Sequence, residues 1–395
     1  MPVANFQRWP TTLRLHFIGI LYEFPVNLRK SRKIYVTGGD STVNFSGCAF
    51  YLTEGLREEL PDFQVEAVPI HSYHELYGAT AMWGLRMRTN PRPYFFMTRQ
   101  FQNANWLASR FDRDPDAILI SFPQIAISPD VGRFAKTYLY VDMTHRQFLS
   151  YGQFAGMPRR IQDEIFAQER ASYASADRIF AATSEVRRQL IEHYSIADGR
   201  IEVIGRGLNM PLLRRERRRE VKSDDRLRVG FMGLDFERKG LRDLIAAIDA
   251  DTSLQQRVAL EVIGPGQGDL PDRAYMSLHG YINKDQDLDK LIAILDRCDL
   301  GFLFSRSEGV PGSVLEFLSR GVPCLISDIP PMGSLTQLPG VVSLPLAQGA
   351  AIIGDTLRGL LALPDRLRSL KAAACASKLA GWQEQAQCIG RWCRT

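Results

Sequence analysis

At 395 residues, 45% of them hydrophobic and 24% charged, the chain has room for two or three domains and the makeup of an ordinary folded protein. A formal charge of +5 is too small at this length to argue for nucleic acid, and the six cysteines lack metal-ligand or disulfide spacing, the pattern of reduced thiols in a cytoplasmic protein. No stretch approaches the roughly eighteen apolar residues of a spanning helix, and MPVANFQRWPTTLRLHFIGIL lacks the small-residue cleavage pattern of a signal peptide.

The first half alternates short apolar runs with helical patterns. Residues 13–20 and 34–36 are predicted strands, and the second leads through the loop TGGDSTVNFSG into a predicted helix over 48–60. Residues 73–110 have no clean period and carry the breakers Pro91 and Pro93, so an irregular insertion is expected. DPDAILISF, TYLYVDMTH and ADRIFAATS are apolar runs between polar turns, and all three read as parallel strands. Asp112-Arg113-Asp114 has the D-x-D form of a metal site but precedes its strand, so no metal site is expected there. A helix over 159–175 follows, and Ser184 is placed to cap another with Val186, Leu190 and Ile191 on one face. LNMPLLRRERRREVKSDDR is charged and aperiodic, an exposed linker rather than a nucleic-acid or membrane patch.

In the second half Leu227, Val229 and Phe231 alternate as a strand, and Leu241, Leu244, Ile245 and Ile248 recur at helical spacing. Between them stand Gly233, Arg238, Lys239 and Gly240, and cations after the first strand of a parallel domain can face its crevice and neutralise a diphosphate. LEVIGPGQGD reads as strand and glycine loop, and SLHGYINKDQDLDKLIAILDRCD as strand, turn and helix.

The chain is organised around DLGFLFSRSEGVPGSVLEFLSRGVPCLIS: an apolar run over 300–304, a loop over 305–312 with Glu308, two glycines and Pro311, a helix over 313–319 and a second run over 323–326. This is the unit of a parallel sheet, whose ligands sit where strand ends meet helix N-termini. Backbone N–H groups around Gly312, Ser313 and Val314 would be unpaired donors, a ready phosphate site. Glu308 before the helix and Glu316 one turn inside it repel phosphate, so hydroxyl groups are their expected partners. A diphosphate flanked by hydroxylated rings is a sugar nucleotide. KLAGWQEQAQCIGRW, at the end of the chain, is helical in composition.

Glu308 and Glu316, within SEGVPGSVLEFLSRGVPCLIS, resemble the E-x7-E signature of the retaining, family-four glycosyltransferases of the GT-B fold. GLDFERKG is similar to that family's diphosphate-holding segment, with Leu234 where its arginine usually follows the glycine, so Lys239 carries over and Arg238 less surely. The resemblance runs from about residue 137 onward; before it only the strand-helix rhythm matches. It implies an α/β chain of two Rossmann-like domains facing across a cleft: an acceptor domain over 1–210, a donor domain over 211–380, and a terminal helix over 381–395 packed back on the first. It implies that Glu308 binds donor-sugar hydroxyls and Glu316 the ribose, that Lys239 and Arg238 hold the diphosphate, and that Asp142 and His145 point into the cleft. Gly233 belongs to the diphosphate segment, and Gly264, Gly266 and Tyr281 lie on loops near the donor base. The expected reaction moves a sugar from a nucleoside diphosphate sugar to a hydroxyl on a glycan, lipid-linked or small-molecule acceptor. No cofactor or metal is called for, nucleic acid is not a partner, and the setting is cytoplasmic, with peripheral contact at the inner membrane face open. A non-catalytic sugar-nucleotide or carbohydrate-binding protein, or a GT-B phosphorylase or hydrolase, is the alternative.

Overall fold

Branched and aromatic residues fill the short apolar runs, favouring the pleated conformation, and most of the described strand positions are buried, as parallel sheets covered on both faces require. The computed structural model describes residues 32–40, 42, 47–69, 114–122, 134–150, 158–210 and 225–395. The first domain runs β1 (Arg32–Thr37), α1 (Cys48–Glu59), β2 (Phe63–Val68), β3 (Asp114–Ser121), β4 (Phe134–Val141), α2 (His145–Ser150), α3 (Arg159–Ser175), β5 (Arg178–Ala181), α4 (Ser184–Tyr194) and β6 (Ile201–Val203). Its strands pair in parallel in the order β2-β1-β3-β4-β5-β6.

The second domain runs β7 (Leu227–Met232), α5 (Leu241–Asp249), α6 (Thr252–Arg257), β8 (Val258–Ile263), β9 (Met276–Leu278), α7 (Lys284–Arg297), β10 (Leu300–Leu303), α8 (Gly312–Ser319), β11 (Cys324–Ser327), β12 (Val341–Leu344), α9 (Gly349–Ala362) and α10 (Pro364–Ala376). Its parallel order is β12-β11-β10-β7-β8-β9. Side chains alternate between two cores. Leu300, Phe302 and Leu325 join Leu244, Ile248, Ile353 and Leu357 on the side of α5 and α9, whereas Leu303, Cys324 and Ile326 join Leu291, Leu295 and Phe317 on the side of α7 and α8. The expected pair of doubly wound domains is present.

The last helix, α11 (Trp382–Arg394), lies on the first domain against α1. A side chain at Gly55 of α1 would come within 3.0 Å of the Trp382 carbonyl oxygen, so glycine lets the two helices approach closely. Trp382 Nε1 donates to Asn209 Oδ1 (2.7 Å), Tyr138 Oη to the Trp392 carbonyl (2.8 Å), and Trp392 Nε1 to Glu202 Oε2 (2.6 Å).

One cap differs from expectation. Thr183, not Ser184, caps α4: its backbone is extended and its Oγ1 accepts the Val186 N–H at 3.1 Å, while Ser184 is already helical. Two adjacent hydroxyl residues offer the same signal, and the one whose backbone leaves the helix takes the role. The predicted strand over 13–20, the insertion over 73–110, Asp112-Arg113 and residues 211–224 of the linker lie outside the described residues. Among the described residues no single helix is long and apolar enough to cross a membrane.

Candidate active site

In the second sheet the chain leaves β7 for β8 on one side and later returns to β10 on the other. The loops after β7 and β10 therefore diverge, opening a crevice at the carboxyl edge of the sheet. Both predicted segments end there. Arg238 Nη1 donates to Glu308 Oε1 at 2.8 Å, Lys239 Nζ lies 3.0 Å from the same oxygen, and Ser305 Oγ reaches it at 3.2 Å. Arg238 also engages Asp235 (Nε to Oδ2, 3.1 Å) and the Ser307 carbonyl. Burial pushes the Glu308 carboxyl up, but Lys239 and Arg238 outweigh it and hold it down to about 2.

Two glycines make this convergence possible. A Cβ at Gly233 would lie 2.2 Å from Lys239 Cδ, so the lysine stem reaches Glu308 by crossing bare backbone. Gly240 has φ +77°, and a Cβ there would stand 2.2 Å from the Phe304 carbonyl oxygen, so the β7 loop closes on the end of β10 only with glycine.

Helix α8 begins at Gly312 behind Pro311. Along this start Ser307 Oγ, Ser313 Oγ and Glu316 Oε2 are buried without a hydrogen-bond partner among the described residues, although Glu316 Oε1 accepts from Lys284 Nζ. Buried polar atoms are seldom left unpaired, so a row of them along one loop and helix marks a place built for a polar ligand. The side chain of Val314 is buried in the core, which leaves its backbone for a ligand.

The first domain meets this loop through the end of β4. A Cβ at Gly309 would come 2.9 Å from the Asp142 carbonyl oxygen and 3.5 Å from its Oδ2, so the residue facing Asp142 has to be small. Burial raises the Asp142 carboxyl to about 6; Glu308 adds to the rise, while Arg206 and the Asp142 and Met143 amides oppose it. His145 opens α2 and is buried. Its backbone N–H donates to Glu169 Oε1 at 2.9 Å, and its Nδ1 is 3.2 Å from the same oxygen. Tyr173 Oη (2.6 Å) and Tyr194 Oη donate to this carboxylate too. Burial alone would raise Glu169, but His145 and the two tyrosines hold it below its usual range.

The structure thus brings Glu308, Lys239, Arg238, Gly233, Gly312 and Asp142 to one crevice. Gly264 backs onto it, since a Cβ there would lie 2.3 Å from the Gly233 carbonyl oxygen. Gly266, held by its N–H to Asp269 Oδ2 (2.7 Å), and Tyr281, 56% exposed, stand on the loops after β8 and β9, outside the Glu308 ion-pair cluster. Among the described residues no group of three or more histidine, cysteine or acidic side chains is placed to hold a metal ion.

Sequence reasoning missed Lys284, Glu169 and Arg206. Lys284 follows the cap residue Asn283 of α7, a spot that carries no distinguishing pattern. Glu169 and Tyr173 stand one helical turn apart, the single local hint of their pairing. Arg206 lies in IGRGLN, which matches no motif.

The two halves match different family models: Glycosyltransferase Family 4 over residues 52–210 and Glycosyl transferases group 1 over 226–361. No curated protein matches the chain in sequence. Among solved structures, sucrose-phosphate synthase (tll1590) from Thermosynechococcus elongatus superposes with a TM-score of 0.65 at 16% identity, covering 92% of this chain and 98% of that one. WaaG, a glycosyltransferase involved in lipopolysaccharide biosynthesis, gives 0.60 at 14% identity over 90% and 99%. Alr3699/HepE of Anabaena, in complex with UDP and glucose, gives 0.58 at 12% identity over 92% and 99%. The chain thus matches two glycosyltransferase family models over successive parts of its length and has the GT-B fold.

Proposed function

We propose that the protein transfers a sugar from a nucleoside diphosphate sugar to an acceptor hydroxyl, with retention at the anomeric carbon, as in the family-four group. The observation that carries this reading is the meeting of Glu308, Lys239 and Arg238 at the crevice between β7 and β10, faced by Asp142 of the other domain. The two complementary domain models and the UDP and glucose held by HepE support the same class of donor.

In the proposed reaction the bond from the anomeric carbon to the diphosphate oxygen breaks and the acceptor oxygen bonds to that carbon from the same face. The acceptor proton passes to the departing phosphate. Negative charge accumulates on the diphosphate, where Lys239, Arg238 and the backbone N–H groups of Gly312, Ser313 and Val314 would stabilise it, a preorganised term that needs no metal. Glu308 accepts from donor-sugar hydroxyls and Glu316 from the ribose. A glycan or lipid-linked acceptor in the cytoplasm, including one at the inner membrane face, fits this assignment.

The test is a panel of UDP-, GDP- and ADP-sugars with mixed acceptors, with and without a chelator. Acceptor-dependent release of one nucleoside diphosphate, unchanged by chelation, is expected. Turnover only with water or inorganic phosphate would make the protein a hydrolase or phosphorylase instead, and magnesium-reversible loss would place a metal on the diphosphate.

A further inference from the structure

Resting on the donor reading above, the geometry points to Arg206 as a further donor-binding residue: a cation that the first domain contributes to the diphosphate. Arg206 follows β6 in a backbone clamped from two sides. Tyr140 Oη donates to the Gly205 carbonyl (2.9 Å) and Gln385 Nε2 to that of Ile204 (2.9 Å). From this mount the side chain crosses to the other domain, where Nη1 donates to the Val310 carbonyl. Its Nη2 stands 2.8 Å from where a Cβ of Gly312 would be, at the first residue of α8.

Nε and Nη2 of Arg206 are buried and have no hydrogen-bond partner among the described residues. A guanidinium against the N-terminus of a helix also faces the positive end of the helix dipole, so two positive sources oppose each other with donors unpaired. An anion shared between the guanidinium and the α8 amides resolves both costs at once. Beside it, Ser313 Oγ is likewise buried and unpartnered, and Glu316 Oε1 lies 3.6 Å from the same Gly312 position. The cations of the β7 loop, Arg238 and Lys239, are both engaged with Glu308, and Leu234 is apolar and 65% exposed. Arg206 therefore adds to Lys239 and Arg238 a third cation, one with hydrogen-bonding capacity unspent among the described residues. Because it belongs to the first domain, a diphosphate in this place ties the two domains together.

The experiment titrates UDP, GDP and ADP into wild type, Arg206→Gln and Arg206→Lys by calorimetry, follows the matching free nucleoside by ligand-observed NMR, and records melting temperatures. Loss of charge-assisted hydrogen bonds should weaken the preferred nucleoside diphosphate roughly tenfold to a hundredfold in Arg206→Gln, with the nucleoside bound as before. Arg206→Lys keeps the charge without the fork and should fall between. Equal loss for nucleoside and diphosphate would make Arg206 a structural residue, and unchanged diphosphate affinity would remove it from the site; either overturns the inference while leaving the donor reading intact. Should Arg206→Gln fail to fold, Arg206→Lys decides alone by the same comparison. If wild type binds none of the three diphosphates, the donor reading falls and takes Arg206 with it.

Discussion

Asp142 is the residue at which the proposed function and stability pull apart. Its carboxyl is raised to about 6, against an ordinary aspartate near 4, so folding takes up a proton between those values. The contribution of this group to stability is therefore fully present below the unfolded value and is lost as pH rises through about 6. At neutral pH the ionised form is kept at a cost, and Asp142→Asn should melt higher at pH 7 by a margin that vanishes near pH 4. If the carboxylate faces the bound sugar, the same variant lowers transfer and removes an acid limb near pH 6 from the wild-type rate profile. Lower activity without a gain in melting temperature would sink this account. Lys239 makes the opposite case. Its ammonium, reached across Gly233, is assigned to the departing diphosphate, and Lys239→Ala should reduce turnover about a hundredfold, the scale of losing one transition-state donor. Unchanged single-turnover rates in Lys239→Ala would remove it from the chemistry.

At the scale of elements, α2, α3 and α4 are tied by one buried carboxylate. Glu169 of α3 accepts from the start of α2 through His145 and from Tyr194 at the end of α4. Held below its usual range, it stabilises the fold fully above the unfolded value of a glutamate and loses that contribution as pH falls on through its own lowered value in the fold. Glu169→Ala leaves these donors facing one another without an acceptor and should cost on the order of 3 kcal/mol in denaturant unfolding; a loss under about 0.5 kcal/mol, the size of a surface change, would contradict it. Such ties explain what was legible in the sequence and what was not. The strand-helix rhythm, the Glu308 loop and the lysine ahead of Gly240 are local patterns, set by periodicity and by glycine at tight approaches. The joining of Glu169 to His145 and of Arg206 to Val310 spans distant segments and leaves no local trace. Thr183 and Ser184 fail differently, being two equivalent caps side by side.

Across the whole molecule, sheet order decides where chemistry can occur. Strand order in the second sheet reverses between β7 and β10, which is why Lys239 and Glu308, far apart in sequence, share one oxygen's surroundings. Two Rossmann-like domains were implied by family resemblance and not by spacing, since alternating strands and helices fit more than one winding. The return of the terminal helix to the first domain was implied by resemblance alone, and its seat on α1 was not foreseen; helical composition says that a helix forms but not which surface covers it.

That placement has a bearing on the order in which the chain is made. The apolar side of α1 is made before the second domain, yet the residues that cover it, including Trp382, Ala386 and Ile389, leave the ribosome only after that domain. The second domain lies wholly between them and can fold to completion while the first still lacks its lid. A chain ending at residue 381 should therefore keep slow amide exchange in β7, β8 and β10 and lose it in β1, α1 and β4. Uniform loss across both sheets would mean the domains fold as one unit. If the halves do separate this way, an interrupted synthesis yields a finished second domain attached to a first domain with its α1 surface bare, the part of the product that chaperones would have to guard.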